Sequence, residues 1–270
     1  MRQLLLAFQF LTIMPIRVKG DISEKEIAQS AAFFPLAGAF QGLIAILSAF
    51  LLLQIFPPEI TSGLIILILI ISNGGFHLDG LADTFDAIAV KSTGDRETDM
   101  ERRLSVMKDS TAGAIGVTAL VVTILMKYLL ISSMLHNYSL FTVYCLLFLM
   151  PVFSKWTMII AMYHGTSARQ DGLGKIFLNN VRINTVIFSS LLITVLYISV
   201  AELHLLKVYG ANSTAVFVVL SVLLYIFSLA SVRFCIKKFG GLTGDNLGAI
   251  SEISEILFLM VATVWLQHYI

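Results

Sequence analysis

The sequence predicts an all-α integral membrane protein with about seven transmembrane helices, a cytoplasmic N-terminus, and an N-terminal helix that is interfacial or partly embedded. Three observations predict it. Apolar residues make up 57% of the 270 residues and charged residues only 13%, with a mean hydropathy of +0.89; a soluble domain of this length needs far more polar surface to cover its core. Several apolar stretches are long enough to cross a hydrocarbon layer about 30 Å thick as helices. The cations between those stretches fall almost entirely on one side.

The elements follow in order. Met1 to Ile16 has Arg2 followed by apolar residues, as a signal peptide would, but no small-x-small cleavage site follows. Pro15-Ile16-Arg17 leads straight into charged sequence, which favours an uncleaved helix at the interface. Candidate spans are Ala31–Phe56, Ile60–Phe76, Gly113–Leu135, Leu140–His164, Thr185–Ala201, Thr214–Phe234 and Leu247–Tyr269. The second is short and runs into polar sequence, which a tilted or kinked helix ending near Gly74-Gly75 accommodates. No internal repeat or separate soluble domain is evident, so residues 1–270 read as a single polytopic domain.

With seven crossings and the N-terminus inside, fifteen of the 18 Lys and Arg residues lie in cytoplasmic segments; Lys207 is in an outer loop, and Lys127 and Lys155 lie within spans. That distribution sets the orientation. The acids sort the same way, apart from Glu59 and Glu202, although acids contribute little to orientation. Their gathering therefore points to chemistry on a cytoplasmic substrate. The net charge of +1 gives no reason to propose a nucleic-acid partner. Cys145 and Cys235 lack the spacing of a metal site or a disulfide framework and read as small apolar residues. His136, His164, His204 and His268 stand near span ends and read as interfacial.

The most informative stretch is Asn73-Gly-Gly-Phe-His-Leu-Asp-Gly-Leu-Ala-Asp-Thr-Phe-Asp86. Asp79, Asp83 and Asp86, at i, i+4 and i+7, share one helix face. Stacked carboxylates repel unless a cation sits among them, and hard oxygen ligands suit Mg²⁺, which binds through a few carboxylates plus substrate phosphates. A solvated acidic helix face would also give this pattern, but the triad adjoins an apolar span, where ionisable groups are costly and usually functional. His77, two residues before Asp79, is placed to orient a ligand or bond a phosphate.

Three further clusters stand on the same side. Arg102 and Arg103 precede Lys108, Asp109, Ser110 and a helix start at Gly113 and Gly116; amides at a helix N-terminus beside a lysine suit an anion, as they suit an ordinary loop-to-helix junction. Arg169-Gln-Asp-Gly-Leu-Gly-Lys175 sets Asp171 and Lys175 around two glycines, in a loop that would close over a ligand or simply turn. Gly240-Gly-Leu-Thr-Gly-Asp-Asn246 contains Thr243 and precedes the last span, which Asp245 or Asn246 can cap. Glu252 and Glu255 lie inside that apolar helix and should face the bundle interior, with Lys127 and Lys155 as candidate partners.

With these clusters in hand, the sequence resembles the cobalamin synthase family, the membrane adenosylcobinamide-GDP ribazoletransferases. The resemblance runs from Phe10-Leu-Thr-Ile-Met-Pro15 and Phe34-Pro-Leu-Ala-Gly38 through Gly74–Asp86. It continues in Met107-Lys-Asp-Ser110, Gly172-Leu-Gly174 and Gly240–Ala249, followed by Glu252 and Glu255. Thr111 departs from the basic residue of the family's second motif, so one phosphate contact is either lost or supplied by Arg102 or Arg103. The resemblance implies transfer of the phosphocobinamide part of adenosylcobinamide-GDP to α-ribazole or its 5′-phosphate, with release of GMP and with Mg²⁺ as cofactor. It implies a multi-pass protein of a bacterial or archaeal cytoplasmic (inner) membrane, its active site facing the cytoplasm; the sequence leaves a homo-oligomer open.

Mapped onto that chemistry, Asp79, Asp83 and Asp86 would hold the metal. Lys108 and the Gly113–Gly116 helix start would stabilise the leaving phosphate, and Asp109 or Asp245 would complete the metal shell or take a proton. His77, Arg102, Arg103, Ser110, Asp171, Lys175, Thr243, Asn246, Glu252 and Glu255 would line the substrate. Two alternatives share some features. A CDP-alcohol phosphatidyltransferase-like enzyme also sets acids on membrane helices, but Phe76 stands where its first Asp should be. A transporter would place its ionisable groups near the midplane, often in repeated halves.

Overall fold

The structure is a computed structural model, and it describes residues 1–109, 111–200 and 211–269. Ser110, Ala201, Glu202, His204 and Lys207 lie outside the described residues. Among the described residues the chain is helical, with one isolated β-bridge between Ser167 and Leu242. Six helical segments are long and apolar enough to cross a membrane, or seven if a sharply bent helix pair counts as one.

Helix α1 (Arg2–Leu11) packs Leu6, Ala7 and Leu11 inward. Ser23 starts α2 (Glu24–Ser30) with a reciprocal cap: its hydroxyl accepts from the Glu26 amide, and its own amide donates to the Glu26 carboxylate at 3.0 Å. A single 3₁₀ turn joins α2 to α3 (Phe34–Leu52), so the first span begins earlier and ends earlier than its apolar stretch.

α3 carries small buried residues at Gly38, Gly42, Ala45 and Ala49. They lie against α8 (Leu140–His164), where a Cβ on Gly38 would come within 2.5 Å of the Pro151 carbonyl oxygen. Small residues at this spacing let two helix backbones approach closely, which is how helices associate where lipid gives no hydrophobic drive. α8 is buried along nearly its whole length and forms the bundle's centre.

The second expected span divides. α4 (Pro58–Ser72) covers about 22 Å at about 1.5 Å per residue, short of a full crossing. It is followed by a 90° bend into α5 (Phe76–Ala89). Gly74 and Gly75 make that bend at φ of 68° and 74°, a region that favours glycine, and the Asn73 side chain accepts from the Gly75 amide at 2.9 Å.

α6 (Arg96–Val106) is short and polar. α7 (Ala114–Asn137), α10 (Ile183–Val200), α11 (Ala211–Phe239) and α12 (Gly244–Tyr269) complete the spans, and α9 (Leu173–Asn180) lies between α8 and α10. Leu43, Leu47, Val121, Leu125, Leu191, Val218 and Ile226 project outward, an apolar exterior that only a bilayer accommodates over such an area. Because successive spans alternate in direction, α5, α6, α9 and the α11–α12 turn gather at one end. Among the described residues, the opposite end carries a Glu59–His136 contact at 2.7 Å.

Candidate active site

The site is built where α12 crosses α5. A Cβ on Gly80 would lie 2.7 Å from the Asp245 carbonyl oxygen and 2.8 Å from its Cα. At Gly248 a Cβ would lie 3.1 Å from the His77 Cα. Glycine on each helix thus lets the two backbones touch. The crossing brings Asp79 and Asp83 from α5 and Asp245 from α12 within electrostatic reach of one another. Asp79 is exposed, and Asp83 and Asp245 are half-buried.

The start of α12 is fixed by a reciprocal cap. The Thr243 amide donates to Asn246 Oδ1 at 3.0 Å, and the Asn246 amide donates to Thr243 Oγ1 at 3.2 Å. Asn246 Nδ2 also donates to Thr84 Oγ1 at 3.0 Å, tying α12 to α5. Thr243 and Asn246, expected to line the substrate, are turned inward with both side chains buried; they shape the site from beneath.

Arg169 reaches the same face, with Nη2 2.9 Å from Asp245 Oδ2. Its loop is held by backbone pairing, with the Ala168 amide donating to the Leu242 carbonyl at 2.9 Å and the Leu242 amide to Thr166 at 2.8 Å. A Cβ on Gly241 would lie 2.6 Å from both Ala168 N and Thr166 O, so glycine there is what admits the strand-like contact. Arg169 and Thr84 were not singled out from sequence. The one signal was that Arg169 opens the glycine-containing run, but the pairing that aims it joins segments more than 70 positions apart. Asp171 is exposed at the loop tip, and Lys175 Nζ donates to the Gln170 carbonyl at 2.6 Å.

Asp86 departs from the expected three-carboxylate cluster. Its two oxygens accept the Gly113 and Gly116 amides, each at 2.7 Å. The carboxylate therefore caps α7 and meets its positive dipole end. A Cβ on either glycine would collide with this carboxylate. The helix start expected to bind the leaving phosphate is thus filled by Asp86, which satisfies the same donors. Among the described residues no three His, Cys, Asp or Glu side chains gather closely enough to hold a metal by themselves. Asp86→Ala is expected to lower stability by about 1–2 kcal/mol, measured as thermal unfolding in detergent without Mg²⁺. An unchanged midpoint would leave the cap without energetic weight.

The second cluster separates. Asp109, exposed, accepts from Thr111 Oγ1 at 2.8 Å and from its amide at 3.0 Å, and these bonds hold its carboxyl below the usual carboxylate range. Lys108 and Arg102 are exposed. Arg103 turns elsewhere: it donates to the Lys238 carbonyl at 3.2 Å and lies 3.8 Å from Asp99. Asp99 takes hydrogen bonds from the Ser92 hydroxyl and from Thr93, which bring its pKa down to about 2.

His77 and the two glutamates lie deeper than a substrate-facing role requires. His77 is 6% exposed, its backbone against Gly248. Lys127 Nζ stands 2.7 Å from Glu252 and 2.6 Å from Glu255, and Lys155 Nζ is 3.6 Å from Glu255 and donates to Ser251 Oγ at 3.1 Å. Two cations and two anions thus neutralise one another inside the bundle, the pairing the sequence suggests. The charges join α7, α8 and α12 directly below the α5 crossing. A water-sized cavity of about 20 Å³ lies against Lys127, Glu252, Glu255, Gln41 and Asn73.

Comparisons with known proteins give the family. The profile of the family described as cobalamin-5-phosphate synthase matches residues 3–263. The chain belongs to the cobalamin-5-phosphate synthase family. Relatives named adenosylcobinamide-GDP ribazoletransferase include one from Thermodesulfovibrio yellowstonii, 35% identical over 98% of both chains. Others come from Clostridium tetani, 33% identical over 95% of this chain and 94% of the relative, and Desulfitobacterium hafniense, 33% identical over 97% and 96%. No solved structure matches the chain. For this cobalamin-5-phosphate synthase family member the all-α, multi-pass architecture read from sequence holds, and Phe76–Ala89 is its acid-bearing element.

Proposed function

We propose that the chain transfers the phosphocobinamide group of adenosylcobinamide-GDP to α-ribazole or its 5′-phosphate, releasing GMP, as the last step of cobalamin assembly. The family membership and the names of its relatives support the reaction. The observation that carries it to particular residues is the convergence of Asp79, Asp83 and Asp245 beside Arg169 at one end of the bundle.

Three carboxylates facing one guanidinium leave excess negative charge and hard oxygen donors, a set that fits Mg²⁺ held by one or two carboxylates plus substrate phosphates. Asp79 and Asp83 would hold that ion, with Asp245 completing its surroundings. When bound, Mg²⁺ supplies neutralisation of the pyrophosphate charge, the main requirement of phosphoryl transfer. The ribose hydroxyl of the acceptor attacks the phosphorus that carries cobinamide and gives its proton to a carboxylate, Asp245 or Asp109; the bond to the bridging oxygen breaks, and GMP departs with that oxygen. Arg169, beside Asp245, and the exposed Lys108 are the cations proposed to receive the departing charge. The distribution of Lys and Arg supports a cytoplasmic orientation of this face, in the bacterial or archaeal inner membrane.

The test is turnover by the purified full-length chain in detergent, supplied with adenosylcobinamide-GDP, α-ribazole and Mg²⁺, with mass spectrometry for both products. Cobalamin and GMP appearing together in equal amounts is the expected result. Absence of both from folded protein, or GMP without cobalamin, would overturn the reading.

A further inference from the structure

Away from the acidic crossing, a second cavity of about 550 Å³ opens between α6 and the charged end of α11. Arg96, Arg103, Arg233, Lys237 and Lys238 line it, with Asp99 as its acid. Cations at a helix end are expected from topology alone. Topology does not explain Arg103, which is 7% exposed and has an Nε with no hydrogen-bond partner. Asp99 does not consume this guanidinium: its carboxylate is bonded by Ser92 and Thr93 and stands 3.8 Å from Arg103 Nη2. A buried guanidinium with an unused donor, set in a basic cavity, is built to receive an anion.

The same helix end indicates what carries that anion. Arg233 and Lys237 lie one turn apart on an exposed face of α11, and Phe234 beside Arg233 is 41% exposed. On the other flank of α11, Phe227, Ala230 and Phe234 form a groove of about 550 Å³ with Phe85, Ile88 and Ile253. Its walls are almost wholly apolar. Farther along α11, Val222 and Ile226 are exposed among the outward-facing apolar side chains. The basic cavity and the apolar groove adjoin at Arg233 and Phe234, consecutive residues of α11, and the pair matches a molecule with a phosphate head and a hydrocarbon tail.

We propose that this junction of α6 and α11 is a binding site for an anionic phospholipid, its phosphate in the Arg103 cavity and an acyl chain along the Phe234 groove. Basic pockets between membrane helices at the cytoplasmic side bind anionic headgroups, each cation contributing on the order of a fivefold change in affinity. The basic cavity shares no lining side chain with the Asp79, Asp83 and Asp245 face, the apolar groove passes Thr84 and Asn246 beneath that face, and the proposal does not depend on the proposed reaction.

The experiment is native mass spectrometry of the purified full-length chain in detergent, titrated with phosphatidylglycerol and, separately, with phosphatidylcholine. Phosphatidylglycerol is expected to bind on the order of 10²-fold more tightly than phosphatidylcholine. Arg233→Gln with Lys237→Gln is expected to reduce that preference by about fivefold per charge removed, and Arg103→Gln to reduce it further. Should Arg103→Gln fail to fold, the exposed double variant decides alone. Equal binding of the two lipids, or a preference unchanged in the double variant, overturns the proposal. So does displacement of phosphatidylglycerol by GMP, which would assign the cavity to a nucleotide phosphate instead.

Discussion

Asp83→Asn is expected to lower the rate of GMP release by about 10²–10³-fold at saturating Mg²⁺, the size of effect seen when one preorganised charge-stabilising group is removed. The substitution keeps the shape of a half-buried side chain and removes only its charge. Because Asp79, Asp86 and Asp245 all act on Asp83 as like charges, the variant without metal should unfold at the same temperature as the parent or higher. Relief is worth roughly 0.2–0.5 kcal/mol for each like-charge neighbour. A merely structural carboxylate would give the opposite pattern, with lost stability and little change in rate. Asp79→Asn should act in the same direction. Near-normal GMP release by both variants at saturating Mg²⁺ would remove the metal assignment.

Lys127→Met is expected to destabilise the protein by about 3–5 kcal/mol, the cost of breaking a buried ion pair from one side. Glu252 and Glu255 would then face each other with Lys155 alone, and Lys155 is 3.6 Å from Glu255. The decisive comparison is Lys127→Met combined with Glu252→Gln, which removes one charge of each sign and should recover most of the loss. Thermal unfolding in a single detergent measures both. Equal destabilisation by the single and double variants would show that the loss does not come from the carboxylate left unpaired at Glu252.

What the sequence revealed and what it hid follow from the range of the interactions. Spans are local: Leu140–His164 is a helix over the full stretch anticipated, because its apolar length alone requires one. The break at Gly74-Gly75 is also local, and its physical cause is the positive φ that those two residues adopt. The pairing of Lys127 with Glu252 was legible because a charge inside a membrane needs a partner and few were available. Helical spacing shows only that Asp86 shares a face with Asp79 and Asp83, not what its carboxylate meets in the fold. The amides that capture its carboxylate belong to Gly113 and Gly116, 27 and 30 positions later. Asp245 joined the acidic face for a related reason: the contact that brings it there is Gly80 against its backbone, and a missing side chain leaves no periodic trace.

The 90° turn at Gly74-Gly75 bears on how so bulky a substrate reaches the acids. If α4 runs through the bilayer, α5 lies along its surface, and Asp79 and Asp83 stand on a shelf with the bundle beneath them. A shelf is approached from above over a wide arc and needs no channel as broad as a corrinoid. The membrane then serves as an anvil: the large half of the donor can stay in water while only its pyrophosphate is pressed against the carboxylate edge.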